Sequence, residues 1–257
     1  MPTGDARRTV DFEAGGFRYV PSVFQYSAGV AAADGYAIEH VRFERPLLLG
    51  KGFAAIDAHL RRRGRPATAL CACELRSPEP FSESGFAAFN RDYVSTLGQW
   101  GLYRDGVNPV ARTNVCPVRD PPSSPSLSAF SYTVAAADRH SPTFVVSGGG
   151  EAQEGRSSYR ESIVAYGDTS VHGLRSKVRY VVAEMTRRLA ALGLDWTHAT
   201  VAQAYTVHDI GPMMADEIVA AGAAANGVLW HWCRPPVAGI EFEMDVRGVR
   251  VEQVIDA

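Results

Sequence analysis

The sequence predicts an α+β protein of two tandem units, each β-β-α-β-α-β-β, with helices covering one face of each sheet. Three observations predict this. Strand-like apolar segments alternate with two helical patterns in each half. The order of elements in 17–136 recurs in 137–257. Landmarks also keep their spacing: Gly64 and Gly193, Leu60 and Leu189, and Thr68 and Thr197 each lie 129 residues apart. Agreement in type, order and spacing points to duplication. Residues 1–16 read as an N-terminal tail.

The elements follow in order. Residues 17–30, FRYVPSVFQYSAGV, are apolar and β-prone. Asp34-Gly35 then turns the chain into YAIEHVRF, a predicted hairpin, because Gly supplies the positive φ of a tight connection. Over 46–63, Leu49, Phe53, Ile56 and Leu60 recur at helical spacing, and Gly64 stops the helix. TALCACEL at 68–75 is a strand. Residues 81–97 form a second helix with Ser82 as a candidate N-cap. Strands near 110–118 and 126–134 flank the loop PVRDPPSSPS, where prolines remove ladder donors. In the second unit, 142–149 is a strand, 174–192 a helix ended by Gly193, 197–207 a strand and 212–222 a short helix. Strands at 227–233 and 239–247 close it. Each such sheet leaves one apolar face bare, and association about a symmetry axis would cover it, so a homotrimer is expected.

Composition bounds the function. Hydrophobic residues make up 46% and charged residues 21%, which excludes disorder as a global description. The net charge of −2 argues against non-specific nucleic-acid binding, which needs excess cation. No apolar run approaches the roughly 18 residues of a membrane span. MPTGDARRTVDFEAGG lacks the apolar core of a secretory signal, and four cysteines in 257 residues are too sparse for a disulfide scaffold. A cytoplasmic location is therefore expected. Metal chemistry has little support: His172, His208, His231 and Cys233 form no HExxH, and Cys71-x-Cys73 stands alone. Gly148-Gly149-Gly150 is no phosphate loop, since no Gly-Lys-Ser/Thr follows. No cofactor is expected.

Several motifs then align with one family. The first unit carries NPVARTNV at 108–115, and the second carries RPPVAGIEFEMDV at 234–246. The segments HLRRRGRPATALCACEL and RRLAALGLDWTHATVAQAYTV share a helix–Gly–strand order. In this order the chain resembles the RidA/YjgF superfamily of small trimeric imine and enamine deaminases, over about 17–134 and 140–250. The resemblance implies the fold of bacterial chorismate mutase, with sites in clefts between units. It implies an Arg that anchors the substrate carboxylate and a Glu that positions water. Arg112 matches that Arg in the first unit, where Ser128 stands in place of the Glu. Glu241 matches the Glu in the second unit, where Gly227 stands in place of the Arg. The expectation is a composite cleft combining Arg112 with Glu241.

The residue chemistry fits that reaction. Arg presents a planar fork to a carboxylate. A partly buried Glu can orient water and move its proton. Ser27 or Ser147 could offer a hydroxyl or backbone amide, Gly148 permits close backbone approach, and Tyr205 could line the cleft. His231 alternates with Trp230 and Trp232; if the Trp side is core, His231 faces a cleft as a possible acid or base. Duller readings exist for each: Arg112 and Glu241 could be solvent-facing strand residues, and Cys233 inert packing. The leading expectation is a metal-independent hydrolytic deaminase for a small carboxylate-bearing enamine of the 2-aminomuconate type. The alternatives are a chorismatase-like enol-ether hydrolase and a non-catalytic ligand-binding module. Neither nucleic acid nor membrane is expected as a partner.

Overall fold

The computed structural model describes residues 9–136, 142–153, 158–223 and 225–256. In the first half β1 (Val10–Phe12), β2 (Phe17–Val20), β3 (Gly29–Ala32) and β4 (Tyr36–Leu48) lead into helix α1 (Leu49–Arg62). Strand β5 (Leu70–Arg76), helix α2 (Glu83–Gln99), β6 (Ala111–Pro117) and β7 (Ser126–Ala135) complete it. The second half has β8 (Phe144–Gly150), a short helix α3 (Tyr159–Ser162), the long helix α4 (Val171–Ala191) and β9 (Val201–Tyr205). A turn of helix, α5 (Gly211–Met213), continues as a π-helix over Met214–Ala223. Strands β10 (Leu229–His231), β11 (Cys233–Arg234), β12 (Glu243–Gly248) and β13 (Glu252–Ile255) follow.

These strands make two sheets, ordered β1-β2-β3-β8-β12-β9-β10 and β11-β6-β5-β7-β4-β13. The core of each uses one scheme. β4 and β5 both pair antiparallel with β7, and β6 joins β5 in parallel. Likewise β8 and β9 both pair antiparallel with β12, and β10 joins β9 in parallel. The two halves therefore share strand order, strand direction and helix placement.

Patterning explains the layers. Along β5, Cys71, Cys73 and Leu75 alternate with Ala72, Glu74 and Arg76, as a strand requires. The first set joins the apolar cluster with Phe53, Ile56 and Leu60 of α1 and Phe86, Tyr93 and Leu97 of α2. Ser82 caps α2, its hydroxyl accepting from the Gly85 amide at 3.1 Å. In the other sheet Val146, Met244 and Val246 pack with Val178, Val181, Met185 and Leu189 of α4. The opposite faces of the two sheets meet each other through polar side chains. Thr113 donates to Asp245 at 2.7 Å, and Glu74 of β5 lies 3.4 Å from Arg247 of β12.

The structure corrects four expectations. Residues 10–15 are not tail: β1 is an edge strand paired with β2, and Glu13–Gly15 is a 3-10 turn. The hairpin across Asp34-Gly35 turns as expected, with Gly35 at φ 81°, but its strands part into different sheets. β3 pairs with β8 of the second half, while β4 takes β7 and β13. Residues 17–30 are interrupted at 21–28, where Pro21 has no amide for a ladder. Finally, the sheet faces that looked bare cover one another within a single chain, so no symmetric partner is required to bury them. Among the described residues no helix is long and apolar enough to cross a membrane.

Candidate active site

The NPVAR segment is tied to the 25–28 loop, and this fixes the site. The Asn108 side-chain amide donates to the Gln25 carbonyl at 2.9 Å, and its oxygen accepts from the Val110 amide at 3.0 Å. The Ser27 amide donates to the Val110 carbonyl at 3.0 Å. These bonds set Tyr26 over Arg112, 5.1 Å from its guanidinium carbon. Arg112 pairs with Cys73 in the sheet and so points to the helix side. There α2 supplies Tyr93 at 5.0 Å and Phe86 at 5.5 Å, and the Asn90 carboxamide oxygen accepts from Arg112 Nη1 at 2.6 Å. Arg112 is 3% exposed, so an arginine that alternation alone could have left in solvent is held in an aromatic cage.

Arg112 opens onto a cavity of about 500 Å³, its open mouth included. Its wall combines both halves: Arg112 and Asn114 of β6, Gly148 to Gly150 of β8, Arg188 of α4 and Glu243 of β12. Tyr26, Phe86, Val237 and Ile240 supply apolar surface. Gly148 is a glycine because of proximity: a Cβ there would lie 2.2 Å from the Glu243 Oε1. Arg188 is fully buried. Its Nε donates to Glu184 at 2.8 Å, and its Nη1 donates to the carbonyls of Ser147 and Gly148 at 2.9 and 3.2 Å. This guanidinium orders the glycine run while placing a second positive charge at the cavity.

Glu243 is the acid of this cavity. Burial pushes its carboxyl well above the usual carboxylate range, and Asp245 adds to the rise; Arg112 and Arg188 oppose it. A raised acid flanked by two guanidinium groups is the kind of perturbed titration that marks functional sites. The segment entering β12 is pinned by a second buried acid. Glu151 accepts from the Glu241 amide at 2.7 Å and the Phe242 amide at 3.0 Å, and lies 3.2 Å from the fully buried Lys177.

The expected site residues divide. Arg112 and Gly148 line the cavity. Glu241 does not: its carboxylate lies 2.8 Å from His208 Nε2 and 4.0 Å from Arg234, and Glu243 occupies the wall instead. The composite cleft thus joins Arg112 to Glu243. Ser27 and Ser147 are buried and already engaged. The Ser27 hydroxyl donates to the Pro109 carbonyl at 3.0 Å. The Ser147 hydroxyl donates to the Ser27 carbonyl at 2.5 Å and accepts from the Arg112 amide at 2.9 Å. They brace the chain behind the wall, and both hydroxyls donate to backbone carbonyls instead of to a ligand.

Tyr205 and His231 belong to the polar seam between the sheets. The Tyr205 hydroxyl donates to Asp245 at 2.9 Å, and its ring stacks on His231 at 5.0 Å between centroids. His231 Nε2 lies 2.9 Å from Gln203 Oε1. Burial, then Arg76, depresses its pKa. Trp230 and Trp232 are the exposed side of this segment, the reverse of the core placement considered for them. Within the seam, burial alone would raise the Glu74 carboxyl, but His40, Arg76 and Arg247 together hold it at about 2.

Sequence reasoning missed Glu243, Arg188, Tyr26, Asn90 and Asn114. Arg188 did leave a signal, since it lies three residues after Met185 and seven after Val181, on the buried stripe of α4. Among the described residues no three His, Cys, Asp or Glu side chains gather as metal ligands would.

Comparison with known proteins adds to this geometry. Residues 9–253 match the family model described as 2-aminomuconate deaminase CnbZ. The chain is 53% identical over 249 residues to the 2-amino-5-chloromuconate deaminase of Comamonas testosteroni, covering 96% of this chain and 98% of that one. Among solved structures, a chorismatase crystal structure superposes with a TM-score of 0.51 at 9% identity, covering 86% of this chain and 77% of that one, a likeness of fold.

Proposed function

The chain belongs to the 2-aminomuconate deaminase CnbZ family, and we propose that it hydrolyses a 2-aminomuconate-type acid with release of ammonia. One observation carries this reading: two guanidinium groups and one raised carboxyl face a single cavity. A muconate is a six-carbon diene with a carboxylate at each end. Arg112 is suited to one carboxylate and Arg188 to the other, each as a charge-assisted donor in a desolvated wall. The apolar surface of Tyr26, Phe86, Val237 and Ile240 receives the conjugated chain between them.

Glu243 does the proton work in this reading. As a neutral acid it gives its proton to a carbon conjugated with the enamine, and the nitrogen lone pair forms the C=N bond of an iminium. As a carboxylate it then takes a proton from water while the water oxygen bonds to that iminium carbon. The carbinolamine formed loses its nitrogen: Glu243 returns the proton to it, the C–N bond breaks, and the hydroxyl passes its proton to the Glu243 carboxylate as the C=O bond forms, which restores the neutral acid. The balance is one water consumed, one ammonia released and an oxo group in place of the amine. A carboxyl lifted by burial keeps its proton to higher pH, as the first transfer requires.

We read the shared strand order of the two halves as a tandem duplication related to the RidA/YjgF units. The homotrimer stays a proposal, tested by sedimentation. The function is tested by ammonia release from freshly generated 2-aminomuconate and from 2-aminoacrylate. The expected result is activity on the dicarboxylate that Arg112→Ala and Glu243→Gln abolish, with Glu241→Gln and His231→Ala retaining it. Absence of ammonia above buffer with 2-aminomuconate, or full activity in Glu243→Gln, refutes the reading.

A further inference from the structure

Asn114 carries a polar group that the reaction scheme leaves unused. It is 2% exposed and lines the cavity two residues beyond Arg112 on β6. The two-residue period puts both side chains on one face of the strand, about 6.6 Å apart along it. The Ser77 hydroxyl donates to Asn114 Oδ1 at 3.0 Å, which sets the orientation of the carboxamide. Its Nδ2 is out of reach of solvent and has no acceptor among the described residues. Buried donors are normally paired, and an unpaired one in a cavity wall marks a place where a ligand acceptor belongs.

We infer that the Asn114 amide donates to an oxygen of the bound dicarboxylate, making Asn114 a substrate-binding residue that fixes the ligand's register beside Arg112. The cavity's charge agrees with this. Arg112 and Arg188 draw an anion in, and an anion brings acceptors without donors. A neutral amide adds a directed hydrogen bond without a third positive charge. The ligand class rests on the proposed function, whereas the unpaired donor does not.

The test uses muconate itself, which lacks the amino group and cannot be deaminated. Its binding is measured by calorimetry on wild type, Asn114→Asp, Asn114→Leu and Ser77→Ala, each checked for folding by circular dichroism. Asn114→Asp keeps the acceptor for Ser77 and removes the donor; Asn114→Leu removes both. The expected result is muconate binding weakened about tenfold or more in both Asn114 variants, as for loss of a hydrogen bond to a charged group. In turnover the KM for 2-aminomuconate rises while kcat changes little. Ser77→Ala, which keeps the Asn114 donor and loses only the bond that orients it, weakens muconate binding less than Asn114→Leu does. A folded Asn114 variant of either kind with wild-type muconate affinity overturns the inference. Asn114-dependent muconate binding without ammonia release sinks the proposed reaction and leaves this inference standing. If wild type binds no muconate, the inference falls with the dicarboxylate reading. Should Asn114→Leu fail to fold, Asn114→Ala, which also removes the donor without adding a charge, decides.

Discussion

Replacing Glu243 by Gln keeps the shape of the side chain and removes its proton equilibrium. The wild-type carboxyl is held well above its ordinary value of 4.5 because it is buried beside Asp245. The sign follows from proton counts. Above about pH 4.5 the unfolded chain has released this proton and the folded chain still holds it, so rising pH draws the equilibrium toward the unfolded state. Wild type therefore loses about 1.36 kcal/mol per pH unit relative to Glu243→Gln, until the folded-state pKa is passed. Between pH 5.5 and 7.5 that is about 2.7 kcal/mol if the acid stays neutral throughout. The other ionisable groups are common to both proteins and cancel to first order. The assay is urea unfolding of both proteins at half-unit steps from pH 4.5 to 8.5, plotted as the difference in unfolding free energy. A slope that bends reads the folded-state pKa directly. A difference that is flat across this range would show that Glu243 is ionised when folded, and the proton-donor role would go with it.

Three further outcomes are expected. Arg112→Lys loses the planar fork and the aromatic stacking, so kcat/KM falls about 10- to 100-fold, measured by steady-state ammonia release. Gly148→Ala puts a methyl 2.2 Å from the present position of Glu243 Oε1, so the Glu243 carboxyl must move. The variant loses about 1–3 kcal/mol of stability in urea titrations and at least tenfold in kcat. Lys177→Met leaves Glu151 without its buried partner, a cost of about 3–5 kcal/mol. Thermal melts at several pH values check this, and the cost shrinks as falling pH protonates Glu151, whose carboxyl burial already raises.

The fold was legible where one pattern meant one thing. Helix α1 follows from Phe53, Ile56 and Leu60, and Ser82 caps α2 as its sequence suggests. The like layout of the two halves was legible in part because Gly64 and Gly193, each just after a helix, both take positive φ. What failed was assignment between equivalent surfaces. The Asp34-Gly35 turn is local, but whether β3 and β4 stay together depends on β8, more than a hundred residues away. The site failed in the same manner. In IEFEMDV both Glu241 and Glu243 have the same parity, so alternation cannot separate them. Ladder register does: Tyr205 pairs with Glu243 as Arg76 pairs with Ser126. The first-half counterpart of Glu243 is thus Ser126, and Ser128 sits at a register shift, which no single-sequence comparison of the halves reveals. On the parallel strand, Leu229 pairs with Gln203, so Val228 and not Gly227 takes the place of Arg112.

The two arginines and the acid are coupled, which yields a consequence for binding itself. In the free protein Arg112 and Arg188 pull the Glu243 pKa down against burial and Asp245. A dianion bound between them cancels that pull, so the complex holds its proton more tightly than the free protein does. Linkage then requires the converse: a proton held by Glu243 favours the anion. Above the free-protein pKa of Glu243, muconate binding must take up a proton, and its affinity falls with pH by up to about tenfold per unit. Calorimetry in two buffers of different ionisation enthalpy measures that uptake directly, and Glu243→Gln abolishes it. Proton uptake that persists in Glu243→Gln, or wild-type affinity independent of pH in this range, would place the linked proton elsewhere. The seam acids Asp245 and Glu74, which share the interior but not the cavity wall, would then be the groups to substitute.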